Sequence, residues 1–386
     1  MVFVVQEFEP IHLDAHALSH AEARHLQTQY ATQLAVQWLF EREQWQLSAK
    51  GWVGAISLGR DELLIRPKIP LANLYHLLEV ADNLPLRYFS QITHGASISD
   101  FYERLAAQLA KRILRRVQVG LFQAHQSKSA RLPYVRGRLA VAKMRPGQLA
   151  FPVTYSEVSA DNPHNQLLLA TLQIILRTHL LSNQTRQLAR QAYRKLSPQV
   201  SLVSFPMPLR TRLNYSRLNA EYEQMHVLCC FFLRHTMPHH ERGSAATLPF
   251  LVDMAALFER FVAQWLQKNL PAAYQLRVQE RSGVAGGKIQ MAIDLVIVER
   301  ATGQVKMVLD TKWKSAEKPA NQDIYQVAFY ANSCHSPEAV LIYPSQLAQP
   351  FDETIRDVRL RTLTFDVSDS IDNAGKKFMI ELFTKK

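Results

Sequence analysis

Cysteine is nearly absent: three in 386 residues, two of them the adjacent Cys229 and Cys230. That count excludes a disulfide framework and fits the reduced thiols of a cytoplasmic protein. The adjacent pair lies in the apolar run VLCCFFL and is expected in a core. No apolar run approaches the ~18 residues of a membrane-spanning helix. The first ten residues, MVFVVQEFEP, have no basic segment ahead of a leader-like core, so no signal peptide is expected. Phosphate loops are missing too. SGVAGGK, ending at Lys288, places three residues between Gly283 and Gly287-Lys288, where a Walker A loop needs four, and Ile289 follows where Ser or Thr should stand. Gly51, Gly54 and Gly59 do not have the spacing of a dinucleotide fingerprint. A protein built this way and working with nucleotide energy would draw it from another chain. Acids are also short: 33 Asp and Glu against 45 Lys and Arg, a net charge of +12. Residues 101–150 hold 11 Lys and Arg against the single acid Glu103. Such a basic stretch favours nucleic acid or an acidic protein partner.

What is present centres on MAIDLVIVERATGQVKMVLDTKWK, Met291 to Lys314. Met291–Glu299 and Val305–Trp313 read as strands, with Ala301-Thr302-Gly303 as the turn. Asp294 interrupts the first apolar run; Asp310 and Lys312 interrupt the second. A charge inside a buried strand is costly unless paired or bound to a metal. If Glu299 pairs with Val305, antiparallel pairing sets Asp294 opposite Asp310. The two-residue period then puts Lys312 on the same face. A slip of one residue would turn Asp294 to the other face. Two facing carboxylates call for positive charge. Lys312 is one source; a divalent cation holding several waters, as Mg²⁺ usually does, is another. This Asp…Asp-x-Lys pattern resembles the PD-(D/E)xK nucleases, with Ile293-Asp294 in place of the proline-aspartate half.

The flanks have the same order as in RecB-like members of that superfamily. LVDMAALFERFVAQWLQKNL is an amphipathic helix with Glu259 beside its apolar stripe. NQDIYQVAFYANS is a helix with Gln326 and Tyr330 four apart on one face.

Residues 1–70 are rich in short strand candidates: WLFEREQWQLSA, GWVGAISLG and ELLIRPKIP. LANLYHLLEVADNL, from Leu71, is a helix. SDFYERLAAQLAKRILRRVQ is another, with Ser99 as its expected N-cap and a ridge of Phe101, Leu105, Leu109, Ile113 and Val117. VGLFQAHQSKSARLPYVRGRLAVAK reads as two strands around a polar loop at His125–Arg131. Asp161-Asn162-Pro163 opens a further helix. TRQLARQAYRKL and EYEQMHVLCCFFLRHTM follow as helices. PHHERGSAATLP, from Pro238 to Pro249, has the composition of a linker. His235, His239 and His240 lie near it, but no Cys or acid completes a ligand set at zinc spacing.

Several segments together resemble the McrC family, the nuclease subunits of McrBC-type restriction systems. They are PLANLYHLLEVA, YVRGRLAVAK, Glu157 through DNPHNQLLLATL, ALFERFVAQWL, IDLVI, VLDTKWK and IYQVAFY, in order from about Leu71 to the end. The resemblance implies a mixed α/β (α+β) chain in three parts. These are a small β-rich domain over 1–70, a helical middle domain with a β-hairpin stalk over 71–245, and a PD-(D/E)xK restriction-endonuclease-like domain over 246–386. It implies an Mg²⁺-dependent endonuclease cutting double-stranded DNA, with Asp294 and Asp310 as metal ligands and Lys312 as the catalytic lysine. Gln326 and Tyr330 match the family's helix motif, and Glu259 falls on an acid, a third metal ligand, found in some relatives. The implied partner is an AAA+ GTPase of the McrB kind, whose hydrolysis the subunit stimulates. The ring-inserting stalk maps to the hairpin, with Lys128, Arg131 and Arg136 as contacts to partner or DNA. The alternative is an activator or scaffold of the ring whose cutting is secondary or lost.

Overall fold

A computed structural model of the chain describes all residues except 59–60, 85–96, 145–146, 148, 206–212, 237–247, 285–288, 315, 369 and 385–386. The chain forms two compact units: Met1–Ile98 together with Leu251–Lys386, and Ser99–Phe250.

The first unit begins with β1 (Val2–Gln6), β2 (Pro10–Asp14), α1 (His20–Gln29), β3 (Leu34–Leu39), β4 (Gln44–Ala49), β5 (Trp52–Leu58), β6 (Asp61–Arg66) and α2 (Leu71–Asp82). Strands β2, β4 and β3 make one antiparallel sheet, with Trp38 facing Trp45. In the other sheet β1 runs parallel to β6, and β6 pairs antiparallel with β5. The alternating burial of β4 and β6 is the signature of half-buried strands. Val5, Leu47, Ile56 and Leu63 close a common core between them. The expected strands are all here. The unexpected helix α1 starts at a capping box in which Ser19 and Glu22 satisfy each other's backbone N–H groups. Ser-x-x-Glu is a readable signal for that start.

The second unit comprises α3 (Ile98–Val119), β7 (Ala124–Leu132), β8 (Arg138–Leu139), β9 (Phe151–Ser159), α4 (Pro163–Leu176), α5 (Asn183–Leu196) and α6 (Ala220–Thr236). The apolar ridge of α3 is buried as expected at Phe101, Leu105, Leu109 and Ile113. The helix, however, already includes Ile98, so Ser99 is inside it rather than capping it. Asn162 does cap α4, accepting from the N–H groups of His164 and Asn165, with Pro163 in the first turn. The adjacent cysteines of α6 are buried.

The chain returns to the first unit through β10 (Phe250–Asp253), then α7 (Met254–Asn269), β11 (Tyr274–Val284), β12 (Ile289–Glu299), β13 (Val305–Thr311), α8 (Asn321–Ser333), β14 (Glu338–Tyr343), β15 (Asp352–Ile355), β16 (Val358–Thr364) and α9 (Ile371–Phe383). These make a six-stranded mixed sheet in the order β11-β12-β13-β14-β16-β15. β13, β14 and β16 run parallel, and α8 makes the crossover from β13 to β14. Val327 and Ala331 of α8 pack on Val308, Ala339 and Leu341 of the sheet.

Within the first unit, residues before and after the second unit are joined. α2 packs against α7, and β10 adds to the edge of the N-terminal sheet beside β5. Leu74, Leu77 and Leu78 of α2 are wholly buried, so the helix cannot stand apart from the body that covers them. The expected linker lies outside the described residues up to 247; Leu248, which follows, is buried and forms a bridge with Thr178.

The start of α4 is held by more than its cap. The Asn162 amide also donates to the carbonyls of Phe122 and Ser159, at 2.9 and 3.1 Å. Asn162→Ala should therefore cost about 2 kcal/mol, at the upper end for a lost cap. A lowered urea midpoint with unchanged slope is the expected readout; a midpoint within error of wild type would show that the cap carries no load.

Candidate active site

Strands β12 and β13 carry the acids. Their register is Leu295 to Leu309, Val296 to Val308 and Ile297 to Met307. One step further stand Asp294 and Asp310, as the sequence suggested. The turn end differs: Val298, not Glu299, faces Val305, and a bulge after Ile297 absorbs the extra residue. Without that bulge Asp294 would face Leu309 and lose its partner.

Asp310 is only 2% exposed, with Oδ2 2.8 Å from Lys312 Nζ. That oxygen receives no well-directed hydrogen bond, so the ion pair is its compensation. The lysine continues to α8, donating to Gln326 Oε1 at 3.1 Å, and Gln326 Nε2 donates to the Tyr330 hydroxyl at 2.8 Å. Asp294 Oδ2 accepts from the N–H of Thr311 at 3.4 Å.

Burial raises the Asp310 carboxyl to a pKa of about 6, against the pull of Lys312 and with a further push from Asp294. Burial likewise takes Asp294 to about 6, and Glu259 adds to the rise. Glu259 is itself raised, first by burial, with Asp310 among its repelling neighbours. Burial works against the charge of Lys312, yet Asp310, Asp323 and Asp294 together lift its pKa, so it remains an ammonium at neutral pH. The site thus holds more negative charge than its own lysine offsets. Among the described residues no three His, Cys, Asp or Glu side chains gather closely enough to cage a metal alone. A buried and a half-buried carboxylate, the first with an oxygen lacking a directed donor, suit a hard cation that keeps most of its waters.

A scan against protein families matches residues 47–344 to the McrBC 5-methylcytosine restriction system component. The chain belongs to the McrBC family. A solved structure with the same fold is a refined half-complex from the tetradecameric assembly of Thermococcus gammatolerans McrB AAA+ hexamers with bound McrC. The match is at 18% identity and TM-score 0.61, over 99% of both chains. A second, the cryo-EM structure of the T. gammatolerans McrBC complex, matches at 18% identity and TM-score 0.45, over 70% of this chain and 88% of that one. No curated protein matches significantly. No helix among the described residues of this McrBC component is long and apolar enough to cross a membrane.

Three residues of the site escape sequence reasoning. Asp323, on the first turn of α8, is 5% exposed; it lies 3.8 Å from Lys312 Nζ and 2.9 Å from Lys314 Nζ. Its position three before Gln326, on the same helix face, was the available signal. Gln279 stands on β11 in the position facing Asp294, hydrogen-bonds Glu259, and has φ +49°. A left-handed glutamine inside a strand marks local strain, often found at functional sites. Tyr343 of β14 is fully buried, and its hydroxyl senses both Asp310 and Asp323.

The hairpin residues lie in the second unit. His125–Arg131 is not a loop: it is strand β7, paired with β9 from Ala124–Ser159 to Leu132–Phe151. A ladder of nine pairs is about 27 Å long, and the turn-back lies beyond residue 132. There β8 folds onto β9 so tightly that a Cβ on Gly137 would meet the Thr154 carbonyl oxygen at 2.5 Å. Lys128 is mid-ladder rather than at a tip, ion-paired with Glu157 at 2.7 Å. Arg136 stacks on the Tyr155 ring, 4.1 Å from its centre. Arg131 is exposed near the far end, opposite Pro152. Of the histidines, His235 is buried against Phe231 and Phe250; His239 and His240 lie outside the described residues, as does the end of the glycine-rich stretch at residues 285–288.

The raised acids set the sign of a pH effect on the metal-free protein. Asp310 has a pKa of 3.8 unfolded and about 6 folded, so the folded chain holds more protons across that window. The associated stability is present below the lower value and lost as pH rises through the higher. Asp310→Asn removes the penalty, and should stabilise the chelated protein at pH 7.5 by about 1–2 kcal/mol. Thermal melts at pH 7.5 and pH 4 check this: the gain should vanish at the lower pH, and a loss at pH 7.5 would mean that the ion pair with Lys312 outweighs the repulsion.

Proposed function

We propose that this McrBC component is the McrC-type subunit: an Mg²⁺-dependent endonuclease that cuts double-stranded DNA in complex with an AAA+ GTPase partner. The observation that carries the reading is the pairing of Asp294 with Asp310 on adjacent strands, with Lys312 held between Asp310 and Gln326. Mg²⁺ on the two carboxylates would supply a Lewis acid for the phosphoryl oxygen and lower the pKa of a bound water.

The chain's own residues do the rest. Lys312 keeps its proton, so its part is to hold a water or phosphate oxygen and offset the charge developing at phosphorus. Gln326 accepts from the lysine and donates to Tyr330, which fixes the direction of the ammonium. Glu259 and Asp323 keep the field around the site negative, which favours retention of a cation. Asp310→Ala or Asp294→Ala should abolish cleavage by the assembled complex, by at least about a thousandfold, while the protein remains folded. Lys312→Ala should lower the rate more than the Mg²⁺ affinity. Wild-type cutting by Asp310→Ala would sink the assignment.

The partner reading rests on family membership, on the absence of a Walker loop, and on the hairpin. Its three-stranded sheet leaves β7 without a fully buried residue, and a small sheet this exposed is marginal without a cover. Tyr134, Val135, Val141 and Leu149 are exposed beyond its ladder, beside Arg136, Arg138 and Lys143. The hydrophobic-and-basic end would occupy the partner ring. Arg131→Glu with Arg136→Glu should then reduce stimulation of the ring's nucleotide hydrolysis even without DNA. If DNA-free stimulation is unchanged and only salt-sensitive DNA binding weakens, the hairpin is a DNA contact instead.

A further inference from the structure

Lys312 sits where its strand runs out of support. β13 ends at Thr311, and the Lys312 N–H donates to the Ile342 carbonyl at 2.8 Å as the last rung to β14. The next residue, Trp313, is 5% exposed. Its indole N–H donates to Glu7 Oε1 at 2.5 Å, across 306 residues of sequence. The ring lies 5.5 Å from that of Phe258, the neighbour of Glu259 on α7, and Lys68 Nζ lies 4.7 Å from its centre. Phe8 takes the same ammonium at 5.2 Å.

Glu7 is itself held fast. It is 2% exposed; its N–H donates to the Arg66 carbonyl at 2.9 Å, and its Oε2 accepts from the Lys68 N–H at 3.4 Å. Burial pushes the Glu7 carboxyl up and the Lys68 ammonium down, so each charge leans on the other. A buried ion pair adds little net stability over an apolar filling of the same shape. What it does supply is direction: one acceptor aimed at one indole N–H, with Phe258 and Lys68 against the indole ring.

We propose that Glu7 is a positioning residue for Lys312, acting through Trp313, and that the N-terminal β sheets serve the reaction by this clamp. The inference rests on the nuclease reading above. Asp310 fixes the strand on one side of Lys312 and Trp313 fixes it on the other, so the Lys312 backbone has little freedom to turn. A shift of about 1 Å at a reacting group commonly lowers rate by around a hundredfold. Release of Trp313 is therefore felt at Lys312 Nζ, five bonds beyond its own Cα, more than in the stability of the fold.

The test uses the full chain assembled with its AAA+ partner, and single-turnover DNA cleavage at saturating Mg²⁺. The variants are Trp313→Phe, which keeps a ring but loses the N–H, Glu7→Gln, which keeps an acceptor, and Glu7→Ala. Trp313→Phe and Glu7→Ala should each lower the rate by about tenfold or more, with DNA-free stimulation of the ring unchanged. Glu7→Gln should remain within about twofold of wild type. The deciding measurement repeats Trp313→Phe in a Lys312→Ala background. If the clamp acts through the lysine, the second substitution adds no further loss; if it is only structural, the two losses multiply. Multiplying losses, or a wild-type rate for Trp313→Phe while Asp310→Ala is inactive, overturns the proposal alone. Cleavage that is indifferent to Asp310→Ala overturns the nuclease reading, and the clamp falls with it.

Discussion

The ion pair between Lys312 and Asp310 is the constraint around which the mixed sheet is arranged. Burial raises both carboxyls first; Asp294 adds to the rise of Asp310, and Glu259 to that of Asp294. One ammonium at 2.8 Å offsets part of it. To reach that place the lysine must leave β13 on the same face as Asp310, which a spacing of two residues guarantees. Its ammonium also lies 3.8 Å from Asp323 and donates at 3.1 Å to the Gln326 side-chain oxygen Oε1, both on α8. The parallel crossover that brings α8 back over the sheet is therefore a condition of the site, not only of the core.

The acids and their register were legible because charges stand out in apolar strands. An unbroken ladder from the turn, with Glu299 on Val305, gives the same Asp294–Asp310 register as the bulged one. The chain makes its turn one residue differently and corrects the register with a bulge after Ile297. A bulge has no dependable sequence mark in a run as uniform as Leu295–Glu299. What survives such an error is parity: only the register that buries the apolar residues and groups the charges satisfies both strands.

Other features left weaker traces. AHQSKSARL has no apolar alternation to mark β7 as a strand, and none of its residues is fully buried. Its strand character comes from the ladder with β9 and from cross-strand pairs such as Ser129 with Thr154 and Lys128 with Glu157. Gln279 carries no local sign of its left-handed backbone, since glutamine is not a residue that turns favour. Glu7 reads as a surface acid in a short polar stretch, and only the return of the chain after β13 brings Trp313 to it. The joins of α2 and β10 were hidden for the same reason. α2 and β10 are joined to their neighbours by contacts far apart in sequence, which a pass along the chain cannot see.

The second unit resolves a different problem, how to hold a largely exposed sheet at its root. Its answer is a polar knot at the base. Phe122, two residues before β7, has its carbonyl bound by the amides of Asn162 and Asn165 at 2.9 and 2.8 Å, and its N–H bound to the Tyr222 hydroxyl at 2.9 Å. Tyr222 donates in turn to Asn165 at 2.7 Å, and His226 meets the His164 carbonyl at 3.0 Å. Burial holds His226 near a pKa of 3, so it stays neutral and the knot does not charge at any pH where the protein works. The members come from α4 and α6, so the root of the hairpin is fixed to two helices at once. The directed hydrogen bonds at Phe122 leave little freedom for a hinge at the base of the ladder.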